Sequence, residues 1–152
     1  MRPVVAIVLV ALTLSVPAMA ADPVRVGDLA VEQAWARATA PSAKTGAVYL
    51  TVRNTGTQPD RIVSVETPVA GHAEAHETRQ EGDVLRMRET GPLAVPPGGA
   101  LEMRPGGTHV MLMDLRNGLE VGQEFPLTIV FERNGTADVP VRVGKPGAMR
   151  PE

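Results

Sequence analysis

Turn-forming residues recur so closely along this chain that little room is left for a helix of ordinary length. Asn54-Thr55-Gly56, Glu81-Gly82-Asp83, Pro96-Pro97-Gly98-Gly99 and Pro105-Gly106-Gly107 each break the pattern, and 15 glycines and 14 prolines are spread over 152 residues. Proline removes a helical hydrogen bond and glycine loosens the backbone, so the segments between these breaks are predicted to be extended. The runs fit that reading: Val24 to Val31 continuing into Ala34 to Arg37, then Ala47 to Arg53, Arg61 to Glu66, Ala73 to Thr78, Val84 to Glu89, Leu101 to Arg104, Thr108 to Leu115, Pro126 to Glu132 and Ala137 to Val143. In the last, Val139, Val141 and Val143 alternate onto one face. Glu81-Gly82-Asp83 and Asn134-Gly135 have the composition of hairpin turns. With no repeat period and no long linker, eight or nine strands predict one all-β domain, an antiparallel Greek-key β-sandwich over residues 21–143. The segment 144–152, carrying Pro146, Gly147 and Pro151, is expected to be a loose tail.

The first twenty residues carry a different signal. Arg2 precedes an apolar run from Val4 to Val16, followed by Ala18-Met19-Ala20. The run falls short of the roughly 20 residues of a spanning helix. A basic start, an apolar centre and a small-x-small triplet predict a secretory signal peptide cut after Ala20. The mature protein is therefore expected outside the cytoplasm, in the periplasm of a bacterial envelope.

Charge and composition narrow the function. Seventeen acidic and 15 basic residues leave a net charge of −2, with no long block of either sign, which argues against a nucleic-acid arm or a polybasic membrane patch. The absence of cysteine excludes a disulfide framework, a thiolate zinc site, a cysteine nucleophile and a cysteine-ligated blue-copper centre. No serine elbow and no paired carboxylates beside a histidine point to catalysis.

The three histidines, His72, His76 and His109, lie within one window that also holds Met87, Met103, Met111 and Met113. His109 and Met111 are two apart in a predicted strand, so their side chains leave the same face. His76 precedes the Glu81-Gly82-Asp83 turn and Met87 follows it, so closing that hairpin would bring an imidazole and a thioether together across neighbouring strands. Two such pairs make a four-ligand site. Thioether sulfur is soft and imidazole nitrogen borderline, so two of each favour Cu(I) over zinc, calcium or magnesium. All four donors are neutral, so the ion keeps its charge and the site is expected near the surface, where water screens it. Of the rest, His72 reads as a surface residue with an accessory copper contact as the alternative, Met113 as core or second-layer filling, Met103 as packing, Glu74, Glu77 and Glu81 as a solvated face or else a docking surface, and Trp35 as the aromatic anchor of the core.

His76, ten residues, Met87, twenty-one residues, then His109-Val110-Met111 resembles the pattern of the periplasmic copper-chaperone family called PCuAC. Ala34-Trp35-Ala36-Arg37-Ala38-Thr39, Gly46-Ala47-Val48-Tyr49-Leu50, Asn54-Thr55-Gly56, Pro105-Gly106-Gly107-Thr108-His109 and Met111-Leu112-Met113 are similar to that family as well. The likeness runs from about Val24 to Val143. Glu77 and Thr78 stand where the family often has a methionine close behind the first histidine. Through Glu152 the sequence carries only Met149 where some relatives have a histidine- and methionine-rich extension for a second copper, so no second site of that kind is expected. The resemblance implies a cupredoxin-like sandwich that binds one Cu(I) per chain through His76, Met87, His109 and Met111. It further implies a monomer that is not an enzyme and that delivers copper to a cytochrome c oxidase centre by ligand exchange, beside a thiol chaperone of the Sco type. Two alternatives stay open at this point. One is copper sequestration for tolerance; the other is an exported adhesion or assembly module whose methionines are only packing.

Overall fold

The computed structural model describes residues 21–152; the predicted signal peptide, 1–20, lies outside the described residues. Eleven strands follow one another among them: β1 (Val24–Val26), β2 (Leu29–Arg37), β3 (Thr45–Asn54), β4 (Asp60–Glu66), β5 (Ala70–Glu81), β6 (Val84–Glu89), β7 (Leu93–Val95), β8 (Ala100–Glu102), β9 (Thr108–Leu115), β10 (Glu124–Phe131) and β11 (Gly135–Gly144). They hydrogen-bond in the order β6-β5-β9-β3-β2-β11-β10-β4-β7, with β1 added to β2 and β8 to β3. This one ladder folds over on itself, and residues from both halves meet in a single aliphatic core that includes Val48, Leu50, Val110, Leu112, Leu127, Ile129, Val139 and Val141. The all-β class read from the sequence is the class observed.

Alternation builds the strands on the far side of the core. Phe125, Leu127, Ile129 and Phe131 of β10 and Ala137, Val139, Val141 and Val143 of β11 are all buried, while the residues between them face outward. Pro126 and Pro140 oppose each other on that outer face. Neither the β4 ladder, which reaches Thr128, nor the β2 ladder, which starts at Arg142, extends to them, so their missing N–H groups cost no bond there.

Two features depart from the sequence expectation. Every neighbouring pair is antiparallel except β2 with β11, which run parallel with Arg142 opposite Trp35 and Gly144 opposite Arg37. These strands are far apart in sequence, so no tight turn forces them antiparallel. β2 prepares the junction with a bulge. Its register against β3 shifts by one residue between Glu32 and Trp35, and Gln33 takes a left-handed φ of 52°. The bulge inserts one residue and bends the strand. The second departure is the C-terminal segment. Instead of trailing freely, it doubles back so that Arg37 donates to the Ala148 carbonyl at 2.6 Å and approaches the Met149 sulfur at 3.0 Å, and Ala148 packs on the core.

A buried carboxylate ties the β10–β11 turn to β4. Asp60 accepts hydrogen bonds from the backbone N–H groups of Arg61, Arg133 and Asn134 and from the Asn134 side chain. Burial raises its pKa, but these four donors outweigh burial and hold it below the ordinary aspartate value.

Candidate metal centre

Strand β9 places the candidate ligands by simple alternation. Val110 and Leu112 are fully buried in the core, and His109, Met111 and Met113 leave the opposite face. β5 lies beside it with His76 opposite His109, Glu74 opposite Met111 and His72 opposite Met113. On its other edge β5 pairs with β6, which sets Met87 opposite Thr78 and Glu89 opposite His76. Directly opposed residues share a face, so His76, His109, Met87 and Met111 all project from one side of the sheet. The two histidines form a central row, Met111 stands one row away on one side, and Met87 stands one row away on the other. His76 and Met87 are diagonal neighbours across the hairpin, not direct partners. Rows lie about 6.5–7 Å apart, a gap that methionine, with three rotatable side-chain bonds, is suited to bridge.

The two imidazole rings lie 6.1 Å apart between centroids, tilted by 42°. Their hydrogen bonds decide which nitrogens are free. His109 Nδ1 lies 2.9 Å from the Gly107 carbonyl, and a carbonyl only accepts, so Nδ1 carries the proton and Nε2 keeps its lone pair. His76 Nε2 lies 3.2 Å from the Glu74 carboxylate, which likewise puts its proton on Nε2 and leaves Nδ1 as the lone pair. That Nδ1 is buried and has no hydrogen-bond partner. A buried polar atom without a partner is costly, and here it is an sp² nitrogen on a ring whose centroid lies 6.1 Å from a second imidazole. Gly107 and Glu74 thus orient the rings from outside, as the outer partners of metal-bound histidines do.

Among the described residues, no three histidine, aspartate or glutamate side chains gather closely enough to hold an ion; Glu74 holds Nε2 of His76, and Met111 and Met87 stand one row to either side of the two imidazoles. His109 is 5% exposed and Met87 59% exposed, so the site runs from a buried floor to an open rim. The floor is aromatic. Tyr49 lies 6.3 Å from His109, and Trp35 stacks on Tyr49 at 4.8 Å. Arg37 lies 5.9 Å over the Tyr49 ring. Burial pushes the Tyr49 hydroxyl above its ordinary pKa, and Arg37 offsets that only in part, so Tyr49 is a neutral wall beside the site.

Trp35 is buried as expected, but its place is the end of the row that leads to His109. Met103 is buried in the core, as packing requires. Glu74 is the residue that the sequence reading passed over, since it counted only as part of a solvated acidic face. Its signal was the Glu-x-His spacing on a strand, which puts carboxylate and imidazole on one face.

Fold and site together define a cupredoxin-like β-protein with a histidine and methionine cluster on one open sheet face. The family described as "Putative lipoprotein LpqE-like" matches residues 29–143, and the chain belongs to that family. A relative from Leifsonia xyli, "Putative lipoprotein Lxx21020", is 35% identical over 144 residues, covering 91% of this chain and 86% of that one. Among solved structures, the apo PCuAC domain from PmoF1 superposes with a TM-score of 0.70 at 31% identity, covering 82% of this chain and 99% of that one. The Cu(I) form of DR1885 from Deinococcus radiodurans gives a TM-score of 0.61 at 30% identity, covering 84% and 81%.

Proposed function

We propose that the protein is an exported Cu(I) chaperone that takes one copper ion as cargo at His76, Met87, His109 and Met111 and passes it on by ligand exchange. The observation that carries this reading is the pair of available nitrogens, Nδ1 of His76, buried and unpartnered, and Nε2 of His109, on rings 6.1 Å apart with Met111 and Met87 one row to either side. Neutral imidazole and thioether donors match the soft Cu(I) ion. The likeness to PCuAC domains, one of them the Cu(I) form of DR1885, supports the same ion.

The gradient of exposure supports delivery over storage. His109 is held at the floor, whereas Met87 sits on an edge strand whose residues are all exposed. A partner's sulfur can approach that rim, displace the Met87 thioether and form a shared intermediate before the histidines let go. Copper then leaves down an affinity gradient, with no substrate bond broken, so the role is not enzymatic. The acceptor we propose is a copper centre of a respiratory cytochrome c oxidase, with a Sco-type thiol chaperone as a partner and the periplasm as the compartment. The PCuAC resemblance supports the acceptor, and the N-terminal pattern together with the lipoprotein name of the Leifsonia relative supports export.

Anaerobic Cu(I) titration against a chromogenic chelator, repeated with His109→Ala and Met111→Ala, tests the reading. One tight equivalent in the wild type, lost or strongly weakened in both variants, is expected. Binding that is absent, or indifferent to both substitutions, overturns it and leaves the adhesion or assembly alternative.

A further inference from the structure

We propose that His72 and Met113 form a second, weaker Cu(I) station on the same sheet face, through which copper reaches or leaves the His76–His109 pair; this rests on the Cu(I) reading above. The register of β5 against β9 carries it. His76 faces His109, Glu74 faces Met111 and His72 faces Met113, so the donor-bearing rows continue beyond the proposed four-ligand site. Directly opposed residues have Cβ atoms about 4.5–5.5 Å apart, which sets an imidazole and a thioether at a spacing one soft ion can bridge. This pair lies two row spacings from His76 and His109, about 13 Å along the strands. Imidazoles do not reach across that gap to one ion, but Met111 lies midway and can reach toward either pair.

Exposure gives the row a direction. His72 is exposed and Met113 half-buried, while His109 is buried. The β6 ladder stops at His76, so the part of β5 that carries His72 has no β6 strand along that edge. A cavity of about 380 Å³ opens there, lined by Glu66, Thr67, His72 and Glu74 among others. Its two carboxylates favour a cation entering. From the His72–Met113 station, copper gains the Met111 sulfur before it loses the His72 nitrogen, then gains the histidine pair as it releases Met113. The transfer trades the bonds to His72 and Met113 for bonds to Met111 and the two histidines, and the ion stays Cu(I) throughout. Two donors hold copper less firmly than four, so the station fills second.

Anaerobic Cu(I) titration with chelators of graded strength, followed by NMR of methyl-labelled methionines, tests this. A first equivalent is expected to shift the Met87 and Met111 methyls, and a weaker second to shift the Met113 methyl. His72→Ala and the volume-conserving Met113→Leu should each abolish the second equivalent and keep the first, and retention of the first also reports that the variants fold. A wild type that binds one equivalent only, or a second that survives both substitutions, overturns the station and leaves the chaperone reading intact. Absence of the first equivalent overturns both.

Discussion

At the scale of single residues, the account turns on which atom of each ring is free. His76 Nδ1 is available because the Glu74 carboxylate holds the opposite nitrogen. Removing that carboxylate frees the ring to rotate and to change tautomer, and the loss of an outer partner of this kind costs about 10–100-fold in metal affinity. Glu74→Leu is therefore expected to weaken Cu(I) binding by about that factor, with Glu74→Gln falling between it and the wild type. Long-range proton–nitrogen NMR of the apo protein checks the cause directly: the His76 proton should sit on Nε2 in the wild type and redistribute in Glu74→Leu. An unchanged tautomer in the variant would assign the carboxylate another role. Tyr49 belongs to the same scale. Because burial raises its pKa, it packs against His109 as a neutral ring and should not compete for the ion.

At the scale of elements, the β5–β6 hairpin sets where Met87 stands. Its two-residue turn, Gly82-Asp83, joins Glu81 to Val84, with a positive φ of 64° at Gly82 and not at Asp83, the pattern of a type II′ turn. A Cβ at Gly82 meets nothing within 4 Å, so the requirement is conformational. Gly82→Val should cost about 1–2 kcal/mol through the left-handed backbone alone, loosen the hairpin and weaken Cu(I) binding. Thermal melts and chelator competition would show both effects, and a stable variant with full affinity would mean the turn does not position Met87. This hairpin was legible in the sequence because Gly82-Asp83 sits between two extended runs. The shared face of His109 and Met111 was legible too, since alternation fixes it whatever the neighbouring strands do. The diagonal offset between His76 and Met87 was not, because it depends on the pairing register, which composition does not set. The bulge at Gln33 gave no local signal, since a glutamine in the left-handed region is held there by its surroundings and not by its own preference. The parallel pairing of β2 with β11 and the return of the C-terminal segment onto Arg37 are likewise long-range events that no short motif announces.

At the scale of the whole molecule, Asp60 is one of the ties that hold the strands in place. Four donors converge on its buried carboxylate and link β4 to the β10–β11 turn. Asp60→Ala leaves several of those N–H groups without a partner and should destabilise the fold by about 2–4 kcal/mol, seen as a lower denaturant midpoint. The pKa of Asp60 is lowered in the folded state. Its contribution is therefore complete above the unfolded aspartate value and is lost as pH falls through the folded one. Wild type should lose stability in strong acid more steeply than Asp60→Ala; parallel pH curves for the two would contradict that assignment. The central claim, that four neutral donors from three strands of one sheet face hold a single copper, is tested most directly by X-ray absorption at the copper edge on protein loaded with one equivalent of Cu(I). The account predicts a reduced ion with two imidazole nitrogens and two sulfurs in its first shell, and one sulfur fewer in Met111→Ala. A first shell of nitrogen and oxygen only, or one unchanged by that substitution, would contradict it.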